Sequence, residues 1–251
     1  MRLRSFTSGA QARRAKPISH ANSNWAARAA LNPNEAVASN SSYLVRNRVS
    51  GTVNWSKAFF PSYKTTVGMF FEGRSGKPYS WTFANDANGD ALAGNDLMYV
   101  PSAPGSGQVV FLGDTPGNTP TENRFWEVVN SLPRLAAAAG TVVKRNADFS
   151  PWTNNLDMRI SQEIPGFFKG NKGVLSFDVL NVGNLLNKKW GCIDEIAFSA
   201  NGGQARSFVN FVGLDSQGGY IYSLRAADDL VTRQQRGESQ WALQVTARYE
   251  F

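Results

Sequence analysis

The chain of 251 residues is 42% hydrophobic and 12% aromatic, with 23 Gly, one Cys and a net charge of +7. A lone Cys192 and a lone His20 exclude a disulfide scaffold and a Cys/His zinc site, and argue against a His-dependent nucleophile triad. Only 18% of residues are charged, below the roughly 25% of soluble domains, yet no run of about 18 apolar residues could cross a membrane as a helix.

Residues 1–42 read as loop or partial strand, with a strand possible near Arg2. Arg2, Arg4, Arg13, Arg14 and Lys16 precede the first acid, Glu35. The other Lys and Arg residues are scattered singly, with no zinc-finger, basic-zipper or RRM-type motif beside them, so nucleic acid is not an expected partner. The basic start MRLRSFTSGAQARRAKP is not followed by the apolar stretch of a secretory signal.

From residue 43 onward the pattern changes to period-two alternation, which predicts strands with one apolar face. Val45 to Lys57 sets Val45, Val49, Val53 and Trp55 against Arg46, Arg48, Ser50, Thr52 and Asn54. Tyr63 to Phe71 sets Thr65, Val67, Met69 and Phe71 against Lys64 and Thr66, with Glu72 following on the polar side. Leu156, Met158, Ile160 and Ile164 oppose Asp157, Arg159, Ser161 and Glu163. Gly173, Leu175, Phe177 and Val179 oppose Val174, Ser176, Asp178 and Leu180 more weakly. Ser239 to Phe251 is the clearest case: Trp241, Leu243, Val245, Ala247, Tyr249 and Phe251 share one face, and Gln240, Gln244, Thr246, Arg248 and Glu250 the other. Trp241 and Phe251 stand ten residues apart. At about 3.3 Å per residue and a tilt near 40°, their separation projects to roughly 25 Å, the height of a lipid-facing band with aromatic girdles.

The connections alternate in length. AFFPSY and PGFFKGN are short turns, whereas about eighty residues follow the second strand and about fifty follow the fourth. Short turns on one side and long loops on the other are the periplasmic and extracellular ends of an outer-membrane barrel. The turns carry Phe59, Phe60, Phe167 and Phe168; with Trp55 and Trp152 these are the expected membrane-interface aromatics. The expectation is therefore an all-β chain: about five or six strands of an antiparallel transmembrane β-barrel with long extracellular loops. Known barrels start at eight strands, so residues 43–251 would be an incomplete barrel without a plug domain.

Two features of the first long loop suggest more than connection. DANGDALAGND places Asp86, Asn88 and Asp90 at alternate positions around Gly89, with Asp96 beyond. Oxygen ligands so spaced suit a structural Ca²⁺, although Gly stands one place early for an EF-hand and no Glu closes the set. A plain Asx-rich turn is the competing reading. Glu122 to Gly140 predicts a short helix interrupted near Pro133, either lining a substrate vestibule or packing under the loop. The adjacent Asp228 and Asp229 have no expected catalytic role, Cys192 reads as a free thiol, and no enzyme activity is expected.

Several strings together resemble the C-terminal barrel of TonB-dependent outer-membrane receptors, Oar-like subgroup. RYEF resembles their terminal strand, FDVLNVGNLLNKKWG (Phe177 to Gly191) the penultimate strand and its loop, and KRNADFSPWTNNLDMRISQEIP (Lys144 to Pro165) the strand before. NRVSGTVNW (Asn47 to Trp55) and NDLMYVP (Asn95 to Pro101) are similar to segments of the same subgroup. The resemblance implies a 22-stranded barrel in the bacterial outer membrane, filled by a plug that TonB engages. It also implies that Trp241, Leu243, Val245, Tyr249 and Phe251 form an assembly signal read by the barrel-assembly machinery. No TonB box or plug is present in these residues, so TonB would act only through a plug from elsewhere, and the substrate is not legible. The alternatives are a Ca²⁺-binding surface or adhesive β-protein, and a non-functional remnant of a truncated receptor gene.

Overall fold

The computed structural model describes residues 2–9, 13–14, 28–34, 37–60, 62–196, 204–227, 230–232 and 238–251. Lys16, His20, Glu35, Asp228 and Asp229 lie outside the described residues. Among the described residues, the first half of the chain forms β1 (Arg2–Gly9), β2 (Arg13–Arg14), β3 (Ser39–Asn40), β4 (Asn47–Phe60), β5 (Tyr63–Arg74), β6 (Pro78–Phe83) and β7 (Val109–Phe111). Next come helices α1 (Pro120–Ser131) and α2 (Pro133–Ala136), then β8 (Asp148–Phe149), β9 (Thr153–Pro165) and β10 (Lys172–Leu180). Helix α3 (Val182–Leu186) precedes β11 (Asp194–Glu195), β12 (Ala205–Leu214), β13 (Tyr220–Leu224), β14 (Val231–Thr232) and β15 (Ala242–Glu250).

The alternating segments assemble into one six-stranded sheet in the order β1-β4-β5-β9-β10-β15, antiparallel at every pairing. Its register joins the apolar positions into continuous rows. Trp55, Val67, Ile160, Phe177 and Val245 lie side by side, and Val53, Met69, Met158, Val179 and Leu243 form the next row. β1 enters the second row through Leu3, opposite Val53. Because strand side chains alternate with period two, the intervening positions share the opposite face. There Asn54, Gly68, Arg159, Asp178 and Gln244 make one row, and Ser56, Thr66, Ser161, Ser176 and Thr246 another. A one-residue slip anywhere would mix these faces, so the hydrophobic pattern fixes the register. Two glycines serve the apolar face: a Cβ on Gly73 would stand 2.9 Å from the Trp152 ring, and one on Gly173 would stand 2.9 Å from Ile164.

The two long connections are not open loops. Together they build a cap whose five-stranded sheet runs β7-β13-β12-β6-β8. β6, β7 and β8 belong to the first connection, and β12 and β13 to the second. The cap sheet is mixed, because β12 pairs parallel to β6 and β13 parallel to β7. Its core includes Trp81, Met98, Val100, Phe111, Phe125, Val129, Phe208, Val209 and Tyr222. Phe125 of α1 lies at its centre, with ring centroids 5.2 Å from Phe111, 5.6 Å from Phe208 and 6.2 Å from Tyr222. The carboxylate of Asp114 accepts hydrogen bonds from the Thr121 and Glu122 amides at 2.8 and 2.9 Å, satisfying orphan donors of the first turn of α1. The helix ends at Leu132, in extended conformation before Pro133.

Polar and cation-ring contacts stitch the cap together and, through Arg46 just ahead of β4, tie it to the large sheet. Tyr79 Oη and Trp81 Nε1 both donate to Asp148 at 3.0 Å, just ahead of β9. Burial pushes the Tyr79 phenol up to about 12, with the Asp148 charge adding to the effect. The Arg46 and Arg134 guanidiniums lie over the Phe149 ring at 5.4 and 4.9 Å. Lys77 pairs with the buried Glu195 at 3.5 Å, linking the first connection to the second.

The chain is thus mostly β, and its larger sheet is fully antiparallel. That sheet is open, with β1 and β15 as edges among the described residues. The long connections depart from the expected loops because β6 is buried along its whole length. Its Tyr79, Trp81 and Phe83 alternate with Ser80 and Thr82, but both sets are covered, so the alternation does not mark a solvent-facing side.

Candidate functional site

The candidate site is the large sheet's apolar face together with its two ends. On this face Leu243 is 55% exposed and Val245 56% exposed, while Met69, Phe71, Ile160, Ile164 and Phe177 are also exposed. An apolar surface running across five strands far exceeds the scattered exposure normal for a soluble monomer. The opposite face is mostly polar, with Phe70, Val174 and Leu180 as exceptions, and carries ion pairs. Arg159 meets Asp178 at 3.4 Å, Lys172 meets Glu163 at 2.8 Å and Glu250 at 3.3 Å, and Arg48 pairs with Glu72. Ser and Thr occupy every place in the row from Ser56 to Thr246.

At the short-turn end the expected aromatics cluster in the open. Phe59, Phe60, Phe167 and Phe168 are exposed, and Phe251 is 99% exposed. Tyr249 ties the terminal strand to the turn: its hydroxyl accepts from the Phe167 amide at 3.2 Å and from Asn171 Nδ2 at 3.1 Å. The Phe167 and Phe251 rings stand 5.9 and 6.4 Å from the Tyr249 ring. Trp55 belongs by register to the apolar face and reaches the turn through its contact with Phe59, centroid to centroid 5.8 Å. Trp152 stands at the opposite end, exposed, with its Nε1 donating to Asn154 at 2.9 Å. Leu243, Val245 and Tyr249 of β15 are exposed, as are Trp241 and Phe251, which flank it.

Where β10 ends, two asparagines organise a turn that sequence patterning did not single out. Asn181 is fully buried and sits in the left-handed region at φ 52°, a conformation Asn tolerates better than most residues. Its Nδ2 donates to the Gly191 and Glu238 carbonyls at 2.9 and 3.2 Å, its amide donates to Asp157, and its side chain caps α3. Asn184 Nδ2 donates to the Lys188 and Trp190 carbonyls, and Asn184 Oδ1 accepts from the Trp241 amide. The only hint in the sequence is two Asn residues flanking Val-Gly, which do not alternate and so escape a strand search. Cys192 lies in the same turn, with Sγ 3.3 Å from the Lys188 carbonyl.

The acidic loop is held by its own amides. Asp86 accepts from Gly89 and Ala91, Asn88 from Asp90, and Asp90 from Leu92, all within 2.7–2.9 Å. Asp96 accepts from the Ala87 and Asn88 amides through Oδ2, while its buried Oδ1 has no partner. Among the described residues no group of three or more His, Cys, Asp or Glu side chains is placed to hold a metal. Burial raises the Asp96 carboxyl above its usual range, and the charges of Asp90 and Asp86 add to this against the two amide hydrogen bonds. A carboxyl raised in the folded state holds its proton more tightly there than in the unfolded chain. The contribution of Asp96 to cap stability should therefore fall as pH climbs from roughly 4 through the raised value, and stay level outside that window. Asp96→Asn should flatten that stretch in thermal melts followed against pH; an unchanged profile would remove Asp96 as its source. Repeating the melts with calcium chloride tests the Ca²⁺ expectation, since a bound ion would cancel the penalty.

The predicted helical segment lies under the cap, with Phe125, Trp126 and Val129 of α1 buried in the core. A shallow groove of about 500 Å³ lies beside α1, lined by Leu112, Thr121, Arg124 and Arg225 among others. No helix among the described residues is long and apolar enough to cross a membrane, which leaves crossing by strands open. The chain matches no family model, and no curated protein or solved structure matches it significantly.

Proposed function

We propose that the chain forms part of the wall and surface cap of a TonB-dependent outer-membrane receptor, where it contributes to substrate passage across the bacterial outer membrane. One observation carries this reading: a six-stranded antiparallel sheet with an exposed apolar face across its strands and a polar, ion-paired face behind it. Lipid against the first face and an aqueous lumen behind the second would satisfy both. An open edge in lipid would leave backbone groups costing several kcal/mol each. The edges of β1 and β15 would therefore pair with further strands, as in the 22-stranded barrel of the resembling family. The short turns with their Phe residues would face the periplasm, and the cap would lie outside the cell. Trp241 to Phe251 would serve as the assembly signal, and TonB would act through a plug not among these residues. The chain has no proposed catalytic role.

The purified full chain should stay monodisperse only in detergent or lipid, with gel mobility that changes on heating. Monodisperse behaviour in plain buffer would overturn the reading and favour a soluble β-protein.

A further inference from the structure

The turn after β10 displays side chains that neither the fold nor the ion pairs account for. Leu186 is 71% exposed, Trp190 57%, Trp241 48% and Leu185 46%, and Lys188 and Lys189 stand exposed among them. The backbone beneath is rigidly held: Asn181 and Asn184 fasten the carbonyls of Lys188, Trp190 and Gly191. Further hydrogen bonds run from the Trp190 amide to the Asn187 carbonyl and from the Lys189 amide to Asn187 Oδ1, each 2.9 Å. Two buried asparagines are thus used to hold a turn that shows apolar groups and two cations to solvent. Among the described residues neither lysine ammonium has an ion-pair or hydrogen-bond partner. Trp241 has the parity of the apolar face, two residues before Leu243, so it continues that face at the end opposite the short turns, and its amide donates to Asn184 Oδ1 in the turn.

We infer that this turn is a docking site for a membrane lipid with an anionic phosphate headgroup. Leu185, Leu186, Trp190 and Trp241 would enter the interfacial layer beside the acyl chains, where Trp is favoured for its apolar body and polar tip. Lys188 and Lys189 would meet the phosphate above them, since cations beside an apolar lipid face match an anionic headgroup. Fixing the turn in advance lowers the entropy lost when the lipid is ordered. The inference rests on the membrane reading above and adds to it a specific lipid chemistry.

The test is flotation of the detergent-purified full chain with phosphatidylcholine vesicles, with and without added phosphatidylglycerol. The expected result is tighter association with the anionic vesicles. The double variant Lys188→Gln/Lys189→Gln should lose about thirtyfold of affinity for them, a factor of about five per lysine, and keep its affinity for phosphatidylcholine. Lys188→Arg/Lys189→Arg should restore most of the loss, and Trp190→Ala should weaken association with both vesicle types. Equal association of the wild type with both vesicles, or an unaltered double variant, overturns the inference and leaves the membrane reading standing. No association with either vesicle overturns both.

Discussion

Phe125→Ala is expected to open the cap in both long connections at once. The ring is fully buried and touches Phe111 from its own connection and Phe208 and Tyr222 from the other. Truncating a buried Phe costs about 3–5 kcal/mol through lost burial and the cavity left behind. That is a large part of the stability of a single domain. Since β12 and β13 lie between β6 and β7, the two connections cannot separate without breaking the cap sheet. Limited proteolysis should therefore show new cleavage within both 75–152 and 204–227, with the large sheet intact. Cleavage confined to the first stretch would mean that the connections fold independently.

The second large effect concerns the two faces of β15. Val245→Arg would put a guanidinium in the apolar row beside Phe177, whereas Gln244→Arg would put one in the polar row beside Asp178. A cation near the bilayer midplane on the lipid face costs about 2–4 kcal/mol, while an exposed polar-side substitution usually stays within about 0.5 kcal/mol. Val245→Arg should sharply reduce recovery of folded protein in lipid vesicles, measured as the heat-modifiable fraction, and Gln244→Arg should leave it near wild type. Equal losses would remove the distinction between the faces on which the membrane reading depends.

The large sheet was legible because each strand has one face of each kind. Trp241, Leu243 and Val245 announce their side by spacing alone, and the register confirms the same faces on β4, β5, β9 and β10. The cap was not legible for the opposite reason. Tyr79, Trp81 and Phe83 alternate with Ser80 and Thr82, but all five are buried, so the polar positions are covered by packing and hydrogen bonds instead of solvent. The pairing of β12 with β6 joins segments more than a hundred residues apart, which no local pattern encodes. Pro133 did mark the helix break, because a ring without an N–H leaves its signature locally. The resemblance placed a loop after β10, but the role of Asn181 was not read from the sequence, because it lies in hydrogen bonds to Gly191 and Glu238 that periodicity does not encode. Of the candidate site, the sequence singled out the Phe residues of the short turns and the terminal strand, which the structure leaves exposed, and did not single out the Leu–Lys–Trp patch.

The most direct test of the membrane-spanning sheet is a spin-label scan of positions 241–250 in lipid vesicles, on a Cys192→Ser background that removes the one native thiol. Labels at 241, 243, 245 and 247 should be accessible to oxygen, which concentrates in the bilayer, and labels at 244, 246 and 248 to a water-soluble nickel complex. The two profiles should oscillate out of phase with a period of two residues. Nickel accessibility at every position, or oxygen and nickel profiles rising together, would contradict a lipid-facing wall.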